Sequence, residues 1–334
     1  MRTTLADVAR RAGVSVSTAS KVLNGHAGPS VETREVVTEA AGALRYRPSV
    51  LARSLRLQRT HTIGFVVPDI SSPFYAAVLR SAQQHLHDAS YRLMLMNSNR
   101  DADEEVEALV TLLDHPVDGL LVATTGVTAA QFERTVGGAI PCVFFDGIVE
   151  GVGTGSVGVT NEAGMGVLVD HLVGHGHRHI ALLIGEQTET TAIERLHGFK
   201  AAMKRNRLPV SRRHVRLCDW SSESGRLETL ELLALDTRPT AIVAGSDDLA
   251  FGCFAACREA EIALPDELAI VSFDDPSFGR LLQPSLTALT SRPVEIGQLA
   301  AWLLIETLRG TSPAQRHIRL PVALVRRASC GCAR

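Results

Sequence analysis

Two short helical patterns separated by a glycine, within residues 4–23, constrain this chain more than any other feature. Apolar residues recur at helical spacing on both sides of Gly13. Each run follows a residue that commonly caps a helix, Thr4 before the first and Ser15 before the second. Because glycine adopts the left-handed backbone of a tight turn, we predict two helices that meet at a short turn, the second from Val16 to about Leu23.

The outward face of the second predicted helix carries Val16, Ser17 and Lys21, two small side chains and one long hydrogen-bond donor. A helix-turn-helix presents such a face to base edges in the DNA major groove. We therefore interpret residues 1–47 as a DNA-reading head, with a small helical cap on an enzyme as the alternative. The residues of this head expected at the DNA are Thr4, Ser15, Val16, Ser17, Thr18, Lys21 and Asn24.

Charge is divided unequally along the 334 residues, although the formal net charge is only -2. Residues 1–60 contain 10 Lys or Arg against 4 Asp or Glu, a net of +6, and the remainder contains 24 against 32, a net of -8. A basic head on an acidic body is expected when only the head meets phosphate. Neither a signal peptide nor an apolar run of membrane-spanning length is recognisable, so we expect a cytoplasmic protein that associates with the nucleoid when bound to DNA and has no membrane partner.

From Thr62 onward, short apolar runs alternate with amphipathic segments, which predicts an α/β body of parallel sheets covered by helices. Polar residues follow most of these runs: Asp69, Asn97, Thr124, Asp146, Ser246 and Asp274, with Gly185 as the exception. Ligands of doubly wound sheets bind beyond the carboxyl ends of the strands. Individually these residues are compatible with ordinary turns, but together they predict a polar cleft.

One motif would suit a different function. GTGSVG at residues 153–158 has the G-x-G-x-x-G spacing of dinucleotide-binding domains, but its third glycine leads into the apolar run VGVT and not into a helix. The sequence has no Walker-type phosphate loop and no recognisable catalytic frame of Ser, Cys or His. We predict no enzyme and no cofactor, and a nucleotide-cofactor enzyme is the less favoured alternative.

The six cysteines show no paired metal-ligand spacing. Four histidines between residues 171 and 179 form the densest titratable cluster, but no Cys or carboxylate set lies near them in the sequence. We therefore predict a solvated helix end and turn there, and no metal site. Cys330 and Cys332 fall in a polar tail, where we expect no disulfide.

Motifs of one family extend over nearly the whole chain. The head contains LADVARRAGVSVSTASKVLNG, and it is followed by YRPSVLARSL at 46–55 and TIGFVVPDISSPFYAAV at 62–78. VDGLLVA, ERLHGF, SDDLAFG, VSFDD and PSLTAL continue the pattern. With these motifs the chain resembles the LacI/GalR (lactose repressor) family of bacterial transcription regulators.

The resemblance also bears on the linker, residues 48–60, whose leucines and arginines suit a short helix that is too short to be stable alone. In the family, two such hinge helices meet in the minor groove of the bound operator. The resemblance implies that Leu55 wedges between base pairs there and that Arg56 contacts the DNA. The alternative is a flexible tether with incidental leucines.

For residues 61–334, the family implies a body of two lobes, as in type I periplasmic sugar-binding proteins, with a small molecule between them. Lobe one would be residues 61–160 plus 292–320, and lobe two 161–290 plus the tail. Crossovers would fall near 160–162, 289–293 and 320–322. The implied effector contacts are Asp69, Phe74, Asp146, Asn161, Arg195, Trp220, Ser246 and Asp274. Trp220 is equally compatible with a core position.

We therefore expect a homodimeric regulator, most often a repressor in this family, that binds a near-palindromic double-stranded operator under allosteric control of an effector. The predicted cleft is acidic, so a neutral sugar or nucleoside is the expected effector. A sugar-binding module without a DNA role is the competing hypothesis. Three departures from the family pattern, Lys21 for Arg, Gly147 for Arg and Ser246 for Asn, leave the operator sequence and the effector identity open.

Overall fold

The computed structural model describes residues 3–46, 59–311 and 313–332, and it divides into two compact units, residues 1–60 and 61–334. Within the described part of the first unit lie three helices: α1 Leu5–Arg11, α2 Val16–Leu23 and α3 Val31–Ala43. The predicted hinge residues Leu55 and Arg56 lie outside the described residues.

Local side-chain caps set the helix starts of the first unit. The Thr4 hydroxyl accepts a hydrogen bond from the Asp7 N–H, and the Asp7 carboxylate accepts one from the Thr4 N–H, which completes a capping box. Ser15 accepts from the Thr18 N–H in the same way. Gly13 has φ +66°, a left-handed conformation that a residue with a Cβ rarely adopts. The predicted turn and both helices are confirmed.

The three helices of the first unit enclose a small apolar core, which includes Val8, Ala19 and Val37. The Val36 side chain of α3 is 42% exposed, whereas Val37, Ala40 and Ala41 are buried. With 3.6 residues per turn, Val37, Ala40 and Ala41 share one face of α3, and Val36 falls beside it.

The second unit contains two six-stranded sheets, each with helices packed against it, so the predicted α/β class is confirmed. The first sheet has the order β11-β5-β4-β3-β1-β2 and is parallel throughout. Its strands are β1 Thr62–Val67, β2 Arg92–Asn97, β3 Gly119–Val122, β4 Cys142–Phe145, β5 Gly155–Val159 and β11 His317–Leu320. β2 lies at the edge, and its residues are half-buried or exposed. Gly158 of the GTGSVG motif lies within β5 and not at a helix start.

The second sheet has the order β12-β10-β9-β8-β6-β7, and all its pairs are parallel except β12 with β10. Its strands are β6 Ile180–Gly185, β7 Val215–Cys218, β8 Ala241–Ala244, β9 Ala269–Ser272, β10 Thr287–Thr290 and β12 Ala323–Val325. The central strands are completely buried. This burial on both faces explains why their sequences are continuous apolar runs without alternation.

Eight further helices connect the strands of the second unit in its described residues: α4 Pro73–Asp88, α5 Ala102–Asp114, α6 Ala129–Thr135, α7 Asn161–Gly174, α8 Thr190–Arg205, α9 Ser222–Leu233, α10 Asp247–Glu259 and α11 Pro293–Leu308. Gly297 of α11 lies against the Val78 carbonyl of α4, where an added Cβ would collide with backbone. This glycine therefore sets how closely the two helices pack. In the described residues, no helix is both long and apolar enough to cross a membrane.

The chain passes between the two sheets three times. It leaves the first sheet after β5, returns between β10 and α11, and leaves again between β11 and β12. Each sheet with its helices therefore forms one lobe, and the lobe of the first sheet includes the later segment α11–β11. Residues that follow strands of both sheets, such as Asp146 after β4 and Ser246 after β8, line one cavity, so the carboxyl ends of both sheets face a common cleft.

Candidate functional site

The exposed face of α2 is the first candidate site. Val16 is 48% exposed, Ser17 and Lys21 are exposed, and Ala19 and Val22 are buried on the opposite side. The outward face therefore carries an apolar contact, a hydroxyl and an ammonium group within two turns. These groups can contact thymine methyl groups and accept or donate hydrogen bonds at base edges and phosphates.

The other predicted head residues hold the ends of the helices. The Thr4 hydroxyl lies 2.6 Å from Asp7 Oδ2, and the Ser15 and Thr18 hydroxyls lie 2.8 Å apart. Asn24 ends α2, with Nδ2 donating to the Ser20 carbonyl at 2.7 Å. Thr4, Ser15 and Asn24 thus cap helix termini, which fixes the orientation of the exposed face of α2.

The second candidate site is a cavity between the two lobes of the second unit, with about 420 Å³ of space that is not filled by atoms and that includes the opening to solvent. The lobe of the first sheet contributes Ser72, Phe74, Tyr75, Arg100 and Asp146, and the other lobe contributes Glu189, Thr191, Arg195, Trp220, Ser246, Asp247, Asp248 and Asp274.

Arg195 is the buried cation at the centre of this cleft, with 3% of its surface exposed. Its Nε donates to Asn161 Oδ1 at 2.9 Å, its Nη1 donates to the Gly245 carbonyl at 2.6 Å, and Nη1 lies 3.6 Å from Asp274 Oδ2. The guanidinium also stacks on Phe273, 3.7 Å from the ring centroid. Asn161 therefore acts behind the cavity wall by orienting Arg195, and not as a wall residue.

Asp146 and Glu189 form an acidic pair that faces the cavity from opposite lobes. Burial raises the pKa of Glu189 to about 7, and the nearby Asp146 adds to the shift. Burial also raises the pKa of Asp146, against the opposing effect of Arg195. Tyr75 donates to Asp146 at 2.9 Å, and the Trp220 N–H donates to Glu189 at 3.2 Å. At neutral pH the Glu189 carboxyl group is therefore available both as a donor and as an acceptor for a ligand hydroxyl.

Arg100 links the two lobes across the mouth of the cleft. Its Nη2 lies 3.3 Å from Asp69 in its own lobe and 3.5 Å from Asp248 at the start of α10 in the other lobe. Its backbone has φ +60°, a conformation that non-glycine residues seldom adopt. Asp69, which we predicted to contact the effector, instead holds this arginine and does not line the cavity.

Trp220 lies between the cavity and the core. Its environment therefore agrees in part with each of the two interpretations from the sequence, an effector contact and a core position. It lines the cavity, is almost fully buried, and packs with the core of its lobe. Its indole covers Gly185, where an added Cβ would overlap the ring. Gly185 was the exception among the polar strand ends, and close packing of the indole is the reason.

Six of the eight predicted effector residues line the cavity, and Asn161 and Asp69 support its two arginines. Seven further residues that line the cavity were not predicted from the sequence: Ser72, Tyr75, Arg100, Glu189, Thr191, Asp247 and Asp248. Arg100 follows β2 by three residues, so the strand-end pattern extended by one turn indicates it. Tyr75 is adjacent to Phe74, but Glu189 lies in a loop without any pattern, and only the fold places it there.

We predicted no metal site near the histidines because no cysteine or carboxylate set lies close to them in the sequence. In the structure, two cysteines do lie close to them. His171 and His175, at the end of α7, lie against Cys330 and Cys332 of the C-terminal tail. The tail reaches them because β12 pairs antiparallel with β10, and both strands pack against α7. The nearest cysteines are thus distant in sequence and adjacent in space.

Comparison with known proteins matches both units. Residues 4–49 match the family described as bacterial regulatory proteins, lacI family, and residues 169–330 match a periplasmic binding protein-like domain. Catabolite control protein A of Priestia megaterium is 31% identical over 322 residues, covering 96% of this chain and 97% of the relative. The ribose operon repressor of Escherichia coli strain K12 is 32% identical over 327 residues, covering 98% and 99%.

Among solved structures, the chain is similar to a crystal structure of the Lac repressor dimer bound to operator and the anti-inducer ONPF. The TM-score is 0.86 at 26% sequence identity, and 99% of each chain is covered. The similarity therefore includes the helical head as well as the two-lobed body.

Proposed function

The chain belongs to the lacI family of bacterial regulatory proteins, and we propose that it binds a near-palindromic operator as a homodimer under the control of a small molecule held in the cleft. As a member of this family it is a DNA-binding transcriptional regulator. We propose that it acts as a repressor and that it works in the cytoplasm, where it associates with the nucleoid when bound to DNA. The observation that carries the proposal is the presence, in one chain, of an exposed donor face on α2 and a buried polar cleft. A homodimer would present two copies of that face to two half-sites.

We propose a neutral polyhydroxylated effector, a sugar before a nucleoside. Five carboxyl groups and two guanidinium groups line the cavity, so a ligand with several hydroxyl groups would meet both hydrogen-bond acceptors and hydrogen-bond donors there. Asp274 Oδ1 is buried and has no hydrogen-bond partner among the described residues, which leaves an acceptor for a ligand hydroxyl. Phe74 and Trp220 supply flat apolar surfaces of the kind that stack on a sugar ring. One relative is named for a ribose operon, so ribose is the first compound to test.

The mechanism follows from linkage between two sites on one chain. An effector that prefers one arrangement of the lobes shifts the population toward it, and only that differential affinity changes DNA binding. Effector and operator must then change the affinity of each other by the same factor. The sign of the effect, induction or co-repression, depends on which arrangement binds DNA better.

The DNA part of the proposal is tested with the full chain and labelled duplexes from the promoters of its neighbouring genes. We expect nanomolar anisotropy or gel-shift binding to one promoter, with at least about a thousandfold preference over scrambled duplex at physiological salt. A chain that binds sugars but shows no preference for any promoter would support the sugar-binding module without a DNA role.

The effector part is tested by a thermal-shift screen of monosaccharides, disaccharides, sugar phosphates, nucleosides and purines. A ligand at 100 times its dissociation constant stabilises the folded state by about 2.7 kcal/mol, which raises the melting temperature measurably. A neutral sugar or nucleoside should be the hit, and adding it should change the affinity for the preferred promoter. A phosphorylated sugar as the sole hit would contradict the neutral-effector proposal.

A further inference from the structure

Four side chains of the types that bind metals, none of which lines the cleft, converge at the edge of the second lobe. His171 lies in the last turn of α7 and His175 is the residue that caps this helix, so the i, i+4 spacing puts both rings on one face. Cys330 and Cys332 come from the tail after β12. All four ligand atoms lie within 4.8 Å of one another.

Four of the six distances between these atoms lie close to those of a tetrahedral site. His171 Nε2 is 3.2 Å from Cys330 Sγ and 3.6 Å from Cys332 Sγ, His175 Nε2 is 3.4 Å from Cys332 Sγ, and the two sulfur atoms are 3.3 Å apart. Zinc bonds of about 2.3 Å to sulfur and about 2.0 Å to nitrogen require donor separations of roughly 3.3 to 3.8 Å in a tetrahedron. The remaining two distances, from His175 to His171 and to Cys330, are at most 4.8 Å, so a shift of about 1 Å in the exposed His175 side chain would complete the coordination.

The four side chains are also of the chemical types that bind zinc. Two thiolates and two imidazoles are the ligands of structural Cys₂His₂ zinc sites, and H-x₃-H is a spacing found in such sites. Two thiolates neutralise the charge of a divalent ion, which suits a position where Cys330 is buried and His175 is exposed. Thr287 Oγ1 lies 3.1 Å from Cys330 Sγ and can orient the thiolate as an outer hydrogen-bond partner.

The backbone around the cysteines is already fixed by other contacts. The Ser329 hydroxyl donates to the Ile270 carbonyl at 2.6 Å and accepts from the Thr287 N–H at 2.8 Å. Arg327 forms a bidentate pair with Asp275 at 2.7 and 2.8 Å. Cys330 is therefore held in place beside His171, while Cys332 and His175 lie nearer the solvent, where an ion can enter.

We propose that His171, His175, Cys330 and Cys332 form a structural Zn²⁺ site that fastens the C-terminal tail to the end of α7. A bound ion closes a loop of more than a hundred and fifty residues between ligands at 175 and 330, and links across long loops restrict the unfolded chain most. The site has no open coordination position, as is usual for structural zinc, and its role is to stabilise the second lobe.

The test uses tag-free full-length protein, purified anaerobically with a phosphine reductant, and compares it with three variants. Cys332→Ser and His175→Gln each remove one ligand near the surface, and His179→Gln changes an exposed histidine of the same cluster that the site does not include. Zinc content is measured by mass spectrometry after gel filtration. Chelator-treated protein is then titrated with Co²⁺, which reports tetrahedral thiolate coordination through its visible bands and a sulfur-to-cobalt charge-transfer band.

We expect one zinc per chain in the wild-type protein and in His179→Gln, with a charge-transfer band on adding Co²⁺. Cys332→Ser and His175→Gln should bind Co²⁺ at least about a hundredfold more weakly, since losing a direct ligand costs more than losing an outer partner. Zn²⁺ should raise the melting temperature of chelator-treated wild type but not of these two variants. The proposal is overturned if the wild-type cobalt adduct lacks the charge-transfer band or if both variants bind Co²⁺ like wild type. It is also overturned if the protein purified with the phosphine reductant still contains a Cys330–Cys332 disulfide.

Discussion

The acidic pair in the cleft predicts that Glu189→Gln stabilises the protein at alkaline pH. In the folded protein, burial and the neighbouring Asp146 raise the pKa of Glu189 to about 7 from an ordinary value of 4.5. Glutamine keeps the shape of the side chain and the carbonyl oxygen that accepts the Trp220 N–H at 3.2 Å. The substitution therefore removes the charge and retains the main hydrogen bond.

The magnitude follows from the difference in proton affinity between the folded and unfolded states. Each tenfold change in that affinity corresponds to about 1.4 kcal/mol, so a Glu189 pKa of about 7 implies a cost of about 3 kcal/mol when the folded protein must ionise this group. The side chain is only half-buried, and solvent screening reduces the expected cost to about 2 kcal/mol.

The sign is opposite to that of a salt-bridged carboxylate. Below about pH 4.5 both states carry the proton and Glu189 costs nothing; between pH 4.5 and about 7 the folded state binds more protons, so stability falls as pH rises. Above pH 7 the loss is complete. Calorimetry of the full chain at pH 8 should show the body transition of Glu189→Gln about 5 °C above wild type, and at pH 5 the difference should be about 1 °C.

Glu186→Gln is the matched control, because Glu186 lies in the same loop and is exposed. Its transition should coincide with that of wild type at both pH values. An equal shift of Glu189→Gln at pH 5 and pH 8, or no shift at pH 8, would refute the claim that ionisation of Glu189 opposes folding.

Three further predictions concern the cations of the two sites. Lys21→Ala should weaken binding to the preferred promoter by about 1 to 3 kcal/mol and leave binding to random duplex nearly unchanged, and anisotropy titrations showing equal losses on both duplexes would contradict a base-reading role. Arg195→Ala should lower the free energy of unfolding by about 3 to 5 kcal/mol and abolish the effector-induced thermal shift, because it leaves Asp274 buried without its cation, whereas exposed Arg212→Ala should do neither. Arg100→Met should weaken effector binding several-fold in calorimetric titrations, since it removes the ion pair with Asp248 across the cleft, and unchanged affinity would argue against a role of Arg100 in holding the lobes together.

The starts of α1 and α2 and the turn between them were predictable because local interactions determine them. A cap at Thr4, a cap at Ser15 and a left-handed Gly13 specify where α1 and α2 begin and where the chain turns. Each of these signals acts over three or four residues, so it can be recognised in the sequence alone. The central strands of the body could also be recognised in the sequence, because burial on both faces makes each one a continuous apolar run.

Contacts that only the fold creates could not be read in the same way. The strand-end pattern located the cleft and most of its wall, but Glu189 enters from a loop without any motif. His175 and Cys332 are 157 residues apart, and nothing in their local sequence predicts that they meet. Their contact depends on the antiparallel pairing of β12 with β10, which a short apolar segment near the chain end does not specify.

Within the body, the hydrogen bonds of Arg195 connect the cleft to the segments that join the lobes. Arg195 donates to Asn161, the first residue of α7 after the crossover from β5, and Asn161 donates in turn to Glu194 at 2.7 Å. Glu194 pairs at 2.8 Å with Arg319 of β11, next to another crossover. A ligand that draws the Arg195 guanidinium toward the cavity must therefore lengthen or replace the bond to Asn161, and that bond lies at the base of two of the three connections. Because buried hydrogen bonds to charged groups are costly to leave unmade, occupancy of the cleft is expected to favour a different arrangement of the crossovers. The buried arginine thus accounts physically for how a small ligand could bias the arrangement of two lobes that are much larger than itself.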